Sequence, residues 1–286
     1  MPLSIHKDVE VVDNISKEDF EKNYMKPRKP LVIKNLYEGQ PLLTKWTFDY
    51  FKETMGHHEI GLFDSAEQYK GQSFKYPPIK MKFAEYIDLI LKGPTSLRIF
   101  LFNPFKLKPD LKNDFSMPDI TDKMINLSFM FFGGQSSVTR IHYDMDMSHV
   151  FLTHLVGRKR IVLFPPESSK LLYKLPFTVH SPVDIDHPEY EKYPALNYLQ
   201  GHETIIQNGE TLYIPAGWWH HIEYLDAGFS INYRAPGDYV RGLWNVLIVH
   251  HLDELLIKTM GSKWFDYKQK TAEEKAKEAM QHVKQE

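Results

Sequence analysis

His142 and Asp144 flank a single tyrosine and place two side chains that commonly bind metal ions close together in the chain. In a β-strand, residues two apart point to the same side, so both can reach one ion. Far downstream, two tryptophans precede the pair His220-His221, which supplies a third ligand. Two imidazoles and one carboxylate on one face of iron leave positions open for a cosubstrate and oxygen. A triplet of this kind also arises by chance, and a surface pair without metal is the alternative.

The absence of cysteine from the 286 residues limits the chemistry that the chain can perform. It excludes disulfides, thiolate metal sites and a cysteine nucleophile, so a metal must take histidine and carboxylate ligands. The net charge of -2 gives no overall attraction to nucleic acid or to an anionic membrane, although a local basic patch would still bind one.

Two features argue against membrane insertion or secretion. The segment from Met1 to Val12 carries Lys7, Asp8 and Glu10 and lacks the apolar core of a signal peptide. No stretch approaches the roughly 18 apolar residues that a membrane-spanning helix needs. We therefore expect a cytoplasmic protein without membrane contact, which agrees with the lack of cysteine.

Short apolar strands separated by turn residues dominate the chain from Leu127 onward. We predict eight of them, at 127–133, 138–143, 149–156, 159–164, 203–207, 211–215, 219–224 and 228–234. A series of this kind is typical of closed or sandwiched antiparallel folds. The sequence therefore predicts a jelly-roll or cupin fold, mainly β with flanking helices.

Helical patterns lie on both sides of this region and divide the chain into three expected parts. Residues 1–126 read as mixed helix and strand that pack on the barrel, with helices at 16–25, 44–55 and 83–90 and a strand at 30–33. Residues 127–235 form the barrel core, interrupted by an insertion at 165–202. Residues 236–286 form a C-terminal helical extension.

The C-terminal extension carries apolar residues nearly all round a helix between 238 and 260, which requires that it be buried. The partner is either the chain's own barrel or a second copy. A homodimer formed through this segment would use Leu243, Val246, Leu247, Leu252 and Leu255.

Three motifs occur together in a fixed order along the predicted barrel. They are His-Tyr-Asp at 142–144, Gly-Arg-Lys-Arg with an apolar run and Phe-Pro-Pro at 157–166, and Gly-Glu-Thr-Leu-Tyr-Ile-Pro leading to Trp-Trp-His at 209–220. With them, the segment from 127 to 235 resembles the JmjC-type, cupin-like hydroxylases that use Fe(II) and 2-oxoglutarate. That family includes a tRNA wybutosine-pathway hydroxylase and the asparaginyl hydroxylase factor inhibiting HIF, to which the pattern is similar. The resemblance implies a double-stranded β-helix.

The resemblance also implies which residues hold the metal. His142, Asp144 and His220 match the family's iron ligands, and His220 is chosen over its neighbour because it directly follows the second tryptophan. His221 then points to the opposite face of a regular strand and has a structural or supporting role.

Three further residues match positions that hold the cosubstrate in the family. Lys159 matches the lysine that pairs with the distal carboxylate of 2-oxoglutarate; its alternative is a solvated charge in a basic run. Thr139 matches a threonine at the same carboxylate, with an ordinary strand residue as the alternative. Asn232 matches an asparagine near the cosubstrate, with a barrel residue that makes no contact as the alternative.

One departure from the family lies between Asp144 and Gly157, where this chain is slightly longer. Ser148-His149 stands where the relatives carry an asparagine beside the iron. His149 either faces the pocket and contacts the cosubstrate or is a strand residue without such a role, and the longer segment leaves both open.

These residues predict an Fe(II)/2-oxoglutarate-dependent dioxygenase that hydroxylates a protein or peptide side chain and converts 2-oxoglutarate to succinate. A tRNA base or a small molecule is the alternative substrate, and the balanced charge favours protein over tRNA. Two rival functions are a metal-dependent cupin dioxygenase that does not use 2-oxoglutarate and a non-catalytic binding module. Five aromatic and histidine residues of the insertion either line a substrate cleft or pack the insertion onto the barrel. These residues are Tyr173, Phe177, His180, Tyr190 and Tyr193.

Overall fold

A computed structural model describes residues 3, 5, 7–65 and 79–283 of the chain. In this part, fourteen strands form one five-stranded and one nine-stranded sheet. The strands are β1 (Lys7–Asp8), β2 (Glu10–Val12), β3 (Leu31–Ile33), β4 (Glu59–Asp64), β5 (Ile79–Lys82), β6 (Leu97–Phe102), β7 (Ile125–Gly133), β8 (Val138–His142), β9 (His149–Val156), β10 (Lys159–Phe164), β11 (His202–Ile206), β12 (Thr211–Ile214), β13 (Trp219–Tyr224) and β14 (Gly228–Ala235).

The barrel consists of the last eight strands, which are divided equally between the two sheets. The small sheet has the order β1-β11-β10-β13-β8, and the large sheet contains β12-β9-β14-β7 at its centre. These strands pair antiparallel, four in each sheet, as in a jelly roll of the cupin type. The predicted fold class is confirmed, and each of the eight predicted strands is present within two residues of its expected limits.

The N-terminal part extends the large sheet at both ends. Strand β3 pairs with β12, and β6 pairs with β7, so the sheet continues outward to β2 on one side and to β4 and β5 on the other. All three residues of β3 are buried, as expected for an apolar strand that is covered on both faces. The predicted boundary at residue 126 falls just inside β7, and the outer limits at residues 1 and 286 lie outside the described residues.

The helices of the N-terminal part cover the outer face of the large sheet. They are α1 (Lys17–Phe20) with a π-helical turn (Glu21–Met25), α2 (Leu42–Lys45), α3 (Phe48–Met55) and α4 (Phe83–Lys92), with 3-10 turns at Pro104–Lys106 and Pro109–Asp114. The helix predicted over 44–55 is divided, because the Thr47 hydroxyl accepts a hydrogen bond from the Tyr50 amide at 3.1 Å and caps a new helix. Phe51 and Phe132 pack edge to face across this layer at 5.5 Å.

The C-terminal extension is helical, as predicted. It comprises α5 (Tyr239–Trp244), a π-helical turn (Asn245–Val249), α6 (His250–Met260) and α7 (Ser262–Val283), and 3-10 turns at Pro166–Ser169 and Pro194–Tyr198 lie in the insertion. Trp264, Lys268, Ala272 and Ala276 recur every four residues along α7 and are buried. By contrast, many apolar side chains between 239 and 260 are exposed. Within the described residues, no helix has the length and apolar character required to span a membrane.

Candidate metal centre

The candidate metal ligands meet where the small sheet faces the large one. His142 ends β8 and lies directly opposite His220 of the neighbouring strand β13, with ring centroids 4.2 Å apart. Asp144 follows two residues later, and one potential ligand atom from each of the three residues lies within 4.8 Å of the others. No fourth histidine or carboxylate of the described residues joins this group.

The chain stays extended beyond the end of β8, although the strand stops one residue earlier than predicted. The Tyr143 amide donates to the Val179 carbonyl at 3.1 Å, and His142 forms an isolated bridge with His180. The insertion thus holds the segment between the two ligands as a further strand would. This geometry keeps His142 and Asp144 on one side, as the two-residue period requires.

Backbone carbonyls fix the orientation of both imidazoles. Nδ1 of His142 lies 2.8 Å from the Arg140 carbonyl, and Nδ1 of His220 lies 3.1 Å from the Trp218 carbonyl. Because a carbonyl only accepts, each Nδ1 carries the hydrogen and each Nε2 keeps its lone pair when the ring is neutral. Burial lowers the pKa of both histidines and favours the neutral form. Such rings are suited to binding a divalent ion.

Arg234 holds the carboxylate of the group in its charged form. Its Nη1 lies 3.3 Å from Oδ2 of Asp144 and 2.8 Å from Oδ1 of Asp146. Burial alone would raise the pKa of Asp144, but the electrostatic interactions of its carboxylate, above all with the charged Arg234, lower it to about 2. Two neutral imidazoles and one anionic carboxylate fit Fe(II) and leave part of its coordination sphere open.

A buried lysine lies in the same cavity as the metal group. Lys159 is 1% exposed, so the alternative of a solvated charge is wrong. Its Nζ donates to the Ser230 hydroxyl at 2.6 Å and lies 4.2 Å from the centre of the Tyr224 ring. Burial, and next the charge of Arg98, lowers the pKa of Lys159 well below its usual value. An anion bound beside Lys159 would offset the cost of burying this ammonium group.

Thr139 and Asn232 also line the cavity that contains the metal group and Lys159. The Thr139 hydroxyl accepts a hydrogen bond from Nη1 of Arg98 at 3.0 Å. The Asn232 side-chain oxygen accepts one from the Phe129 amide at 3.3 Å. The cavity therefore brings together all six residues that the sequence singled out.

Arg98 was missed by the sequence analysis. It lies on β6 in the N-terminal part, is only 3% exposed, and reaches the barrel through its bond to Thr139. A signal exists in the sequence, because an arginine in the apolar run Leu-Arg-Ile-Phe-Leu-Phe is costly to bury without a polar partner. That run lies about 40 residues before the motifs, and long-range contacts such as the pairing of β6 with β7 connect the two.

His149 and His221 face away from this cavity. Nδ1 of His149 lies 2.8 Å from the Tyr213 hydroxyl and accepts the Ala216 amide at 3.2 Å, on the side of the large sheet that faces the N-terminal helices. His149 is absent from the lining of the metal cavity. His221 points out of the small sheet, as predicted, and its Nε2 lies 2.9 Å from Oδ2 of Asp186 in the insertion.

The aromatic residues of the insertion divide between the two roles that were left open. Tyr173 and Tyr193 are buried against each other, with ring centroids 4.9 Å apart, and pack the insertion onto the barrel. Phe177 lines a second cavity beside the segment that carries the metal ligands. His180 lies 5.9 Å from His142, ring centre to ring centre.

Comparison with known proteins agrees with this architecture. A family model described as the cupin-like domain matches residues 17–235, which is well over half of the chain. The chain belongs to the cupin-like domain family. The matched region includes every residue of the metal group, the lysine and the strands that position them.

Relatives of this cupin-like chain carry names from two kinds of enzyme and one domain class. Lysine-specific demethylase 8 of Xenopus tropicalis is 27% identical over 229 residues, which cover 76% of this chain and 50% of the relative. tRNA wybutosine-synthesizing protein 5 of Gallus gallus is 27% identical over 241 residues, which cover 77% of this chain and 74% of the relative. JmjC domain-containing protein D of Dictyostelium discoideum is 30% identical over 250 residues, which cover 76% of this chain and 53% of the relative. The chain thus spans about half the length of the demethylase, and the expected similarity to the asparaginyl hydroxylase stays a prediction.

Proposed function

We propose that this chain is an Fe(II)- and 2-oxoglutarate-dependent oxygenase that hydroxylates a protein or peptide side chain. The observation that carries the proposal is a single cavity whose two groups fit the two ends of 2-oxoglutarate. Two neutral imidazoles and a carboxylate form an open metal group at one end, and a buried ammonium group lies at the other. 2-Oxoglutarate needs both, because it chelates a metal at its keto end and carries a free carboxylate at the far end.

In this proposal His142, Asp144 and His220 hold the metal, and Arg234 keeps Asp144 ionised and oriented. When bound, Fe(II) and 2-oxoglutarate supply the activation of oxygen, with release of succinate and carbon dioxide. Lys159 holds the distal carboxylate by charge and hydrogen bonding.

The polar residues around Lys159 support this role from the cavity wall. Thr139 offers its hydroxyl to the distal carboxylate while its own oxygen accepts from Arg98, which fixes the position of the hydroxyl. Arg98 adds a second positive charge to this end of the cavity. Asn232 lines the wall beside the cosubstrate, and apolar neighbours such as Val150 and Leu152 exclude water.

For the substrate, the relatives favour two classes. One relative is named a lysine-specific demethylase, and hydroxylation of an N-methyl group is a route to demethylation; another is named for tRNA wybutosine synthesis. The net charge of -2 favours a protein or peptide over the tRNA backbone, because binding to phosphates depends on a surplus of Lys and Arg. A tRNA base is therefore the second candidate.

The proposal is tested by incubating the purified chain with 2-oxoglutarate, oxygen and Fe(II) in the absence of a second substrate. We expect slow formation of succinate that stops when Fe(II) is withheld or chelated, because uncoupled turnover needs only the metal and cosubstrate sites. Succinate is measured by NMR. Binding of 2-oxoglutarate to the Mn(II)-loaded chain is measured separately by calorimetry, and absence of both binding and succinate would refute the proposal.

We also propose that the chain forms a homodimer through residues 238–260. Apolar side chains along α5, the π-helical turn and α6 are exposed in the single chain, and they include Leu243, Val246, Leu247, Leu252 and Leu255. Exposed apolar side chains that adjoin one another on a surface are typical of an interaction site. A second copy would cover it with an identical helical face, as in two-fold interfaces. The family resemblance supports this occupant, because relatives dimerise through a C-terminal helical unit.

Leu247→Glu should convert this dimer to a monomer, because a carboxylate would then be buried at the centre of an apolar interface. Leu247 is 52% exposed in the single chain, so the substitution leaves the fold intact. Sedimentation velocity at micromolar concentration measures the mass. The matched control is Ile205→Glu, since Ile205 is 53% exposed and lies on β11, outside the helices. Equal sedimentation of the unaltered chain and Leu247→Glu would rule out this interface.

A further inference from the structure

A second cavity of about 330 Å³ lies outside the barrel, beside the segment that carries the metal ligands. Three separate parts of the chain line it: residues around Tyr143, the insertion from Lys174 to Val179, and the C-terminal helices around Trp244. Tyr143 lies between His142 and Asp144, but its side chain faces this second cavity and packs edge to face on Trp219 at 4.9 Å. The two cavities thus lie on opposite sides of one short backbone segment.

The second cavity is positively charged. Lys174 and Arg241 are the charged residues of its lining, and no carboxylate from the described part of the chain lines it. Lys174 is half-buried, and its Nζ bonds the Leu175 carbonyl at 3.4 Å and lies 5.9 Å from the centre of the Tyr143 ring. Burial lowers the pKa of Lys174 to about 8, and the nearby charges of Lys275 and Arg241 act in the same direction. Two cations held together in this way attract an anion strongly.

The walls of the cavity are aromatic. Tyr143, Phe177 and Trp244 line it, and Trp244 is 59% exposed at its edge. Phe177 adopts a left-handed backbone conformation with φ of 59°, which is unfavourable for an aromatic residue. Strain of this kind is concentrated at binding and functional sites. A ligand with a flat aromatic ring would fit these walls, because the face of such a ring stacks on aromatic side chains.

We propose that this cavity binds a nucleotide, with the phosphate between Lys174 and Arg241 and the base against Phe177 and Trp244. A phosphate presents several oxygens and accepts from an ammonium group and a guanidinium fork together. An aspartate or glutamate side chain would satisfy the cations but would leave the aromatic walls in contact with water. The volume agrees with a ligand of this size, since small-molecule sites begin at about 300 Å³.

The nucleotide has two possible sources, a free mononucleotide or one unit of a single-stranded RNA. Both present the same phosphate and base to the cavity. A free mononucleotide would be a small-molecule ligand beside the Tyr143 segment, whereas an RNA strand would be a second binding partner in addition to the proposed protein or peptide substrate. The structure assigns the chemistry of the ligand, and a comparison of affinities assigns its source.

The test measures binding by calorimetry on the full chain without metal or 2-oxoglutarate, so its failure is separate from failure of the proposed oxygenase activity. The probes are adenosine 5′-monophosphate, inorganic phosphate, adenosine and a short single-stranded RNA. We expect saturable binding of the monophosphate, with phosphate and adenosine each weaker by about tenfold or more, since each lacks one set of contacts. Tighter binding of the RNA than of the monophosphate identifies a strand as the source; equal or weaker binding identifies the free nucleotide.

Two substitutions locate the site. Lys174→Met keeps the shape of the side chain and should weaken binding of the monophosphate by about 10- to 100-fold. Arg241→Met removes an exposed charge and should weaken binding by a similar factor. Lys170→Met is the control, because Lys170 is exposed on the same insertion and outside the cavity. Affinity unchanged in both variants overturns the proposal. So does an acidic peptide that binds the cavity more tightly than the monophosphate.

Discussion

Asp144→Ala should abolish succinate formation and weaken binding of Fe(II) by at least about 100-fold. Removal of a residue that only hydrogen-bonds a metal ligand already lowers metal affinity by about 10- to 100-fold, and loss of a ligand itself should lower it further. The substitution removes the only anionic member of the metal group and leaves the Arg234 guanidinium facing two imidazoles. Metal affinity is measured by calorimetry with Fe(II) under anaerobic conditions, or with Mn(II) as a stable substitute. Succinate is measured in the same preparations.

The matched control for this substitution is Asp146→Ala. Asp146 lies two residues away and bonds the same Arg234 at 2.8 Å, but it does not belong to the metal group. We expect it to change metal affinity by less than about tenfold, since its contribution passes through Arg234 alone. Equal losses in both variants would mean that the acidic segment stabilises the fold rather than binding metal, and the proposed ligand set would then be wrong.

Lys159→Met should have opposite effects on cosubstrate binding and on stability. It removes a charge-assisted hydrogen bond to the distal carboxylate, so the dissociation constant of 2-oxoglutarate should rise by about 10- to 100-fold. It also removes a buried ammonium group whose nearest polar partner is the Ser230 hydroxyl, which should raise the free energy of unfolding by about 1–2 kcal/mol. Calorimetric titration and chemical denaturation measure the two quantities.

Arg158→Met separates this effect from a general loss of positive charge. Arg158 precedes Lys159, but its guanidinium is exposed and bonds Asp226 at 2.7 Å. We expect affinity for 2-oxoglutarate to remain within about twofold in this variant, because exposed ion pairs contribute little. Turnover that is unaffected by Lys159→Met would favour the rival function, a cupin dioxygenase that does not use 2-oxoglutarate.

The sequence predicted the barrel well because its signals are local. Each of the eight strands is a short apolar run bounded by a turn residue, and Gly157 and Gly209 both adopt the left-handed conformation that such turns require. The two-residue period placed His142 and Asp144 on one side, although Asp144 lies just beyond the end of β8. Spacing along a strand carries this information without knowledge of the rest of the fold.

What the sequence did not predict depends on long-range pairing. Arg98 contacts Thr139 because β6 pairs with β7, and nothing within the apolar run around Arg98 specifies that partner. The orientation of His149 was left open because the longer segment before it obscured which residues face inward, and its bond to Tyr213 needs β12 beside β9. The helices after 236 were expected to be buried, but they expose apolar residues in the single chain. In our proposal a second copy of the chain buries them.

The large sheet has a consequence for how the chain can be divided. Within the eight barrel strands, β12 and β7 are the outermost members of that sheet, and β3 and β6 of the N-terminal part complete their hydrogen bonding. A fragment reduced to 127–235 would therefore present two open rows of amides and carbonyls, which readily pair with other chains and promote aggregation. The N-terminal residues thus act as edge protection for the barrel, and activity assays on a minimal domain would report on an assembly that the full chain prevents.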